Sequence, residues 1–128
     1  MKKGRYGKTH CRMGLSNECK KGEIWLVDLN PTRGHEQSGI RPAVIISVDE
    51  FNSCPADLVV VVPITSRNKS IPLHVEIRPE KSGLAKVSFA KPEDIRSISK
   101  ERLVKKIGEL PNKKLRELEE KIRILLGL

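Results

Sequence analysis

Apolar residues in this chain recur in short runs typical of β-strands until the C-terminal segment, where their spacing becomes helical. The runs predict strands at 23–29, 43–48, 57–63, 73–77, 86–90, 95–98 and 105–108. A single helical turn is predicted at 49–53. No strand–helix–strand alternation is present, so a parallel sheet is not expected. The pattern predicts a mainly β fold, a small and strongly curved antiparallel barrel with one C-terminal helix.

The C-terminal segment has the spacing of an amphipathic helix. Its apolar residues recur three and four positions apart, at Leu115, Leu118, Ile122 and Leu125, with charged residues between them. Asn112 is predicted to cap the start of the helix, and Gly127 to close its end. Trp25, in the first strand, is predicted to lie in the core and not to serve as a base-stacking platform.

Length and composition limit the chain to one folded unit. It has 128 residues, of which 38% are hydrophobic and 32% charged, as expected for a globular domain. The run Leu58–Val62 is the longest apolar run and is far shorter than the roughly 20 residues of a membrane span. We see no secretory leader and expect a cytoplasmic protein with no membrane partner.

Basic residues are concentrated at the N-terminus. Segment 1–21 contains seven Lys or Arg and one Glu, which is +6 of the total charge of +9. Residues 1–20 lack apolar periodicity, so we expect a flexible basic extension at 1–20 and a folded domain at 21–128. The cysteines, Cys11, Cys19 and Cys54, form no CxxC pair, so we predict reduced thiols and no metal or other cofactor.

Two polar clusters stand at the ends of consecutive predicted strands. The first belongs to the long loop 30–42 and consists of His35, Glu36, Gln37 and Arg41. The second cluster, Thr65 to Asn68, follows the strand 57–63. Loops of this length in a small domain are usually functional, and we expect both clusters to meet at one rim of the barrel. The glycines of loop 30–42 have the spacing of a P-loop, but Ile40-Arg41-Pro42 replaces the lysine and helix start that a P-loop requires.

Three segments resemble the motifs of the MazF/PemK toxin family. Residues 22–42, which read GEIWLVDLNPTRGHEQSGIRP, are similar to the opening motif of that family. The run Val60–Ser66 resembles the second motif, and the segment from Ser88 through Glu93 to Leu103 resembles the third. The resemblance covers residue 21 to the C-terminal helix and leaves the N-terminal extension uncovered.

The resemblance implies an SH3-like barrel, a homodimer, and a toxin that cleaves single-stranded mRNA at short sequences. It also implies a cognate antitoxin protein, with DNA bound only through the antitoxin complex. By position, the family's catalytic groups fall on Arg41, Thr65, His35 and Glu93. The residues expected to bind RNA are Glu36, Gln37, Gly39, Ser66, Asn68 and Lys91. Lys91 and Glu93 stand where arginine and aspartate are usual, and Asp94 stands where glutamine is usual.

Metal-free RNA cleavage has chemical requirements that these residue types can meet. The 2′-hydroxyl attacks the phosphate, which leaves a 2′,3′-cyclic phosphate and a 5′-hydroxyl. Arg41 is suited to hold the negatively charged phosphorane, because guanidinium is always charged and binds phosphate through two N–H groups. Thr65 can hydrogen-bond a phosphate oxygen. His35, Glu36 and Glu93 remain alternatives for the general base and the general acid.

Two other functions are compatible with the sequence. One is a non-catalytic toxin of the same fold, similar to the gyrase-poisoning CcdB toxins, that binds a protein target. The other is a weakened family member, marked by Lys91, Glu93 and Asp94, that acts mainly in regulation of its own operon. Retention of the Gly-x-Arg-Pro and Pro-Ile-Thr-Ser segments favours the endoribonuclease.

Overall fold

A computed structural model describes residues 19–29 and 39–128 of the chain. The strands are Glu23–Asp28 (β1), Ile40–Ile45 (β2), Leu58–Thr65 (β3), Val75–Ile77 (β4), Ser88–Ala90 (β5), Arg96–Ser99 (β6) and Leu103–Glu109 (β7). The α-helices are Asp49–Asn52 (α1) and Asn112–Leu126 (α2), and two 3-10 turns lie at Pro92–Asp94 and Lys100–Arg102. The predicted set of seven strands, a short helical turn and a C-terminal helix is confirmed.

The strands form one curled antiparallel sheet. Its order is β4-β5-β3-β2-β1-β7, and β6 pairs with the first half of β3. All pairs described are antiparallel, as the sequence predicts. Strand β3 is the longest and pairs with β2, β5 and β6, so its two ends belong to different parts of the curved sheet.

Alternate residues of the central strands enter two hydrophobic clusters on opposite faces of the sheet. The first cluster includes Trp25, Val27, Ala43, Ile45, Val59, Val61 and Ile98. The second includes Ile24, Val44, Val62, Ile64, Val75 and Ile77, and it is covered by Leu118 of α2. Trp25 is 8% exposed, so its prediction as a core residue is confirmed. Because both faces of β1, β2 and β3 are buried over their central residues, polar groups on these strands are confined to the strand ends.

Two of the strand boundaries that differ from the sequence prediction bear on the candidate site. Strand β2 begins at Ile40, so Arg41 and Pro42 lie in a strand and not in a loop. Pro42 is tolerated because pairing between β2 and β3 begins only at Ala43. Strand β3 ends at Thr65, two residues later than predicted. Arg41 and Thr65 therefore stand on paired strands, where backbone geometry fixes their positions.

Helix α2 begins differently from the prediction. Pro111 is its N-cap, and Leu115 N–H donates to the Pro111 carbonyl, so Asn112 is the first helical residue and the predicted Asn112 cap is wrong. The predicted closure by Gly127 is confirmed, because Gly127 adopts a left-handed conformation with φ of 74°. Leu125 remains 36% exposed, so it contributes less to the core than its spacing predicts.

The core extends upstream of the predicted domain boundary. Cys19, which the sequence analysis assigns to the N-terminal extension, is 2% exposed and packs in the first cluster. Its carbonyl accepts a hydrogen bond from the buried Asn52 side chain at 3.4 Å. Burial raises the pKa of the Cys19 thiol to about 11, so the thiol stays protonated at neutral pH. Residues 1–18, with Cys11, lie outside the described residues.

The Glu23 carboxylate links the first strand to its neighbours. It accepts hydrogen bonds from Trp25 Nε1–H and from the Lys20 backbone N–H, both at 2.9 Å, and it pairs with Lys106 Nζ at 3.2 Å. Burial by itself acts to raise the pKa of Glu23, but the three donors together outweigh it and lower the pKa below its usual value.

We expect acid to weaken the fold partly through Glu23. Because its pKa is lower in the folded state, Glu23 contributes stability above the unfolded pKa of about 4.3, and this contribution is lost as the pH falls through the folded value. Thermal unfolding of the parent and of Glu23→Gln should therefore differ most near neutral pH, and the difference should shrink on acidification. A difference that is constant with pH would contradict this role.

None of the helices in residues 19–29 and 39–128 is both long enough and apolar enough to cross a membrane.

Candidate active site

Arg41 and Thr65 lie at the same end of neighbouring strands. Antiparallel pairing sets Ala43 of β2 opposite Pro63 of β3. Arg41 precedes Ala43 by two residues, and Thr65 follows Pro63 by two residues, so both lie toward the same end and on the same face of the sheet. Arg41 is exposed and Thr65 is partly buried. Strand register therefore places one residue of each polar cluster, Arg41 and Thr65, at the same end of the sheet.

The neighbouring strands continue this row of side chains. Arg41 is paired with Val27 of β1, and Thr65 is paired with Phe89 of β5. Phe89 is paired in turn with Glu76 of β4. Directly paired residues share a face, so the row presents a guanidinium, a hydroxyl, a half-buried aromatic ring and a carboxylate in succession. Such a row combines groups that hold phosphate with a ring on which a base can stack.

The Thr65 hydroxyl is oriented by the backbone that follows it. Thr65 Oγ1 accepts a hydrogen bond from Arg67 N–H at 3.2 Å, so the hydroxyl can still donate its own proton. Ser66 and Asn68 are both exposed beyond the strand end. The Asn68 side-chain oxygen accepts from Ser70 N–H at 2.9 Å, which shapes the turn and leaves the amide N–H₂ as the group suited to contact RNA.

Gly39 marks the return of the chain to the sheet. The Gly39 carbonyl accepts from Leu29 N–H at 2.9 Å, and Gly39 has a φ of 80°, a conformation that glycine adopts without strain. The described residues on both sides of 30–38 therefore meet beside Arg41. His35, Glu36 and Gln37, three of the predicted site residues, lie outside the described residues.

Glu93 is held by a histidine that the sequence analysis did not select. Glu93 lies in the 3-10 turn Pro92–Asp94, and its Oε2 is 2.6 Å from Nε2 of His74. The His74 side chain is 3% exposed, whereas that of Glu93 is 36% exposed. Burial acts to raise the pKa of Glu93, but the hydrogen bond from His74 and the nearby Lys91 lower it below its usual value. Glu93 is therefore a carboxylate at neutral pH.

Lys91 is placed differently from the other predicted RNA-binding residues. Its side chain is only 8% exposed, and Lys91 Nζ pairs with Asp94 Oδ2 at 2.9 Å. The Lys91 backbone N–H donates to the Pro63 carbonyl at 2.9 Å and so ties the 3-10 turn to β3. The ammonium group is directed to Asp94 and is largely withdrawn from solvent.

His74 was missed because no local signal marks it. It falls in the alternating run 73–77 and is separated from Glu93 by 19 positions, so only the pairing of β4 with β5 brings the two residues together. In the described ranges 19–29 and 39–128, no group of three or more His, Cys, Asp or Glu side chains is arranged to hold a metal ion.

Comparisons with known proteins agree over almost the whole folded unit. The family model described as "PemK-like, MazF-like toxin of type II toxin-antitoxin system" matches residues 20–126. A curated relative, Endoribonuclease MazF of Staphylococcus saprophyticus, is 45% identical over 111 residues, which is 85% of this chain and 92% of the relative.

Solved structures show the same fold. MazF from Deinococcus radiodurans (Form-I) superposes with a TM-score of 0.76 at 30% identity, covering 86% of this chain and 97% of that chain. A MazE-MazF structure from the same organism (Form-II) gives a TM-score of 0.71 at 29% identity, covering 87% and 97%. The curled sheet with a C-terminal helix is therefore an architecture that this chain shares with MazF proteins.

Proposed function

This chain belongs to the PemK-like, MazF-like family of type II toxins, and on that basis we propose that it is an endoribonuclease that cleaves single-stranded mRNA without a metal ion. The observation that supports it most directly is the placement of Arg41 and Thr65 on one face, at one end, of neighbouring strands. A cation and a hydroxyl donor at this spacing suit a phosphodiester whose negative charge increases in the transition state.

The proposed reaction uses the 2′-hydroxyl of the RNA as nucleophile. The 2′-oxygen forms a bond to phosphorus while the bond from phosphorus to the 5′-oxygen breaks, which gives a cyclic phosphate and a 5′-hydroxyl. Arg41 stabilises the phosphorane, and Thr65 donates a hydrogen bond to one of its oxygens. The leaving 5′-oxygen takes up one proton, and a base removes the 2′ proton.

We assign the base role to Glu93. Its side chain is a carboxylate at neutral pH, which can accept a proton, and it is exposed enough to meet substrate. His35 and Glu36 are then the two candidates for the general acid that protonates the leaving oxygen. Ser66, Asn68 and Gly39 lie at the same end of the sheet and are proposed to contact RNA together with Glu36 and Gln37.

We expect cleavage to require both an unpaired strand and a 2′-hydroxyl. The test incubates the purified chain, in the presence of a chelator, with a mixed-sequence single-stranded RNA, its duplex and the matching DNA strand. Only the single-stranded RNA should be cut, because bases must be unstacked to be read and DNA lacks the nucleophile. Cyclic phosphate ends support the proposal, and sequencing of the new 5′ ends identifies the cleavage sequence. Cleavage of the DNA strand or 5′-phosphate ends would overturn it.

The proposed partners follow from the family. A MazE-MazF structure is among those similar to this chain, and we propose that a cognate antitoxin binds this toxin in the cytoplasm, with DNA contacted only through that complex. We also propose a homodimer, because a barrel of this size with 3% aromatic residues has a modest core. Sedimentation of the free chain, and of the chain with its antitoxin, tests both proposals.

A further inference from the structure

The His74 ring is almost completely buried and has a single polar contact with the described residues. Its side chain is 3% exposed, and Nε2 lies 2.6 Å from Glu93 Oε2. Nδ1 is also buried and has no hydrogen-bond partner in the described part of the chain. Because a carboxylate only accepts hydrogen bonds, Nε2 carries a hydrogen atom and donates a hydrogen bond to Glu93 Oε2.

The backbone around His74 holds the ring in place. His74 N–H donates to the Ile71 carbonyl at 2.9 Å in a turn that leads directly into β4. Strand β4 is paired with β5, where Val75 lies opposite Ala90. The ring is therefore presented from the edge of the sheet and does not depend on Glu93 for its location.

The segment that carries Glu93 is tied to the inner part of β3. Lys91 N–H bonds to the Pro63 carbonyl, two residues before Thr65 in β3. Because β5 and β3 are antiparallel, the 3-10 turn then places Glu93 two residues further in the direction away from Thr65. His74 can thus limit the orientation of a carboxylate whose own exposure would otherwise let it rotate.

We infer that His74 is a positioning residue for the cleavage reaction: its Nε2–H holds the Glu93 carboxylate in one orientation beside β3. This inference rests on the proposed function, in which Glu93 accepts the 2′ proton. The side chains that act on Glu93 are those of His74 and Lys91, and Lys91 is itself paired with Asp94. His74 is the group of these that touches the Glu93 carboxylate.

Two substitutions of His74 separate positioning from packing. Gln carries a side-chain N–H donor the same number of bonds from Cα as Nε2 of His, whereas the Asn donor is one bond shorter and cannot reach Glu93. We expect His74→Asn to lower kcat on mixed-sequence single-stranded RNA by about ten- to a hundredfold, with little change in KM. His74→Gln should keep the rate within about threefold of the parent, a factor that allows for imperfect geometry.

A double-mutant cycle tests the coupling to Glu93. Glu93→Gln should lose at least as much activity as His74→Asn, and the double variant should lose no more than Glu93→Gln. Equal loss in His74→Gln and His74→Asn, additive losses, or parent activity in His74→Asn would each overturn the inference.

A readout that needs no RNA separates this inference from the proposed function. The ¹³C NMR titration of the Glu93 carboxyl should have a higher midpoint in His74→Asn than in the parent and in His74→Gln. If the parent and Arg41→Ala cleave RNA equally but this shift is present, the proposed function fails while the contact stands. No shift overturns the contact. If His74→Asn does not fold, imidazole ¹⁵N spectra of the parent and of Glu93→Ala test the contact instead. The hydrogen bond of His74 Nε2–H should be present in the parent and absent in Glu93→Ala.

Discussion

Arg41→Ala is expected to cleave single-stranded RNA about a hundred- to a thousandfold more slowly than the parent, the usual cost of losing one donor that stabilises a transition-state anion. Arg41 lies at an exposed end of β2 and two residues from the pairing of Ala43 with Pro63. The guanidinium is therefore outside the core, and its loss should leave the free energy of unfolding nearly unchanged. The measurement is the single-turnover rate together with thermal unfolding of both proteins.

Two controls define what Arg41 contributes. Arg41→Lys keeps the charge but loses the planar pair of donors, so its rate should lie between those of the parent and Arg41→Ala. Arg116→Ala removes an exposed arginine of α2, the helix that packs on the second cluster, and its rate should equal that of the parent. If Arg41→Ala cleaves as fast as Arg116→Ala, the assignment of Arg41 is wrong.

Lys91→Ala is expected to destabilise the fold by about 3–5 kcal/mol, because it leaves the Asp94 carboxylate without its partner in a mostly buried site. Lys91 and Asp94 have side chains that are 8% and 17% exposed, and their ion pair spans 2.9 Å. Removal of one partner costs more than the pair itself contributes, since the remaining charge stays desolvated. Urea-induced unfolding, followed by circular dichroism, measures this loss.

The double substitution Lys91→Met with Asp94→Leu is the matched control. It replaces the two charges by apolar side chains of similar volume, and we expect it to recover most of the stability lost in Lys91→Ala. The RNA-binding role suggested by family resemblance predicts the opposite pattern. In that case Lys91→Ala would unfold like the parent and bind single-stranded RNA more weakly.

Sequence patterns predicted the elements of this fold because each depends on local spacing. The apolar runs around Val27, Val44 and Val61 alternate between the two clusters, and the spacing of Leu115, Leu118 and Ile122 places one stripe of α2 on the sheet. The ends of elements were less predictable. Asparagine is a common N-cap residue, which is why Asn112 was predicted to cap α2, but the N-cap position is held by Pro111.

The sequence predicted only part of the candidate site, because contacts between its side chains depend on pairing between distant segments. The sequence motifs identify Arg41, Thr65 and Glu93 as candidate site residues. They do not show that Arg41 belongs to β2, because the sequence predicts a loop there. Lys91 and Glu93 look equivalent in the sequence, two charged residues close together. In the fold Lys91 is buried against Asp94, whereas Glu93 is directed to His74.

Residue type and neighbours close along the chain were enough to predict which segments form strands, where the helix lies, and which side chains are chemically suited to a phosphodiester. The shared face of Arg41 and Thr65 and the contact between His74 and Glu93 could be seen only in the folded chain. Those relations depend on strand register and on pairing between distant segments. A shift of register by one residue would turn each side chain of a strand to the opposite face without altering any local pattern.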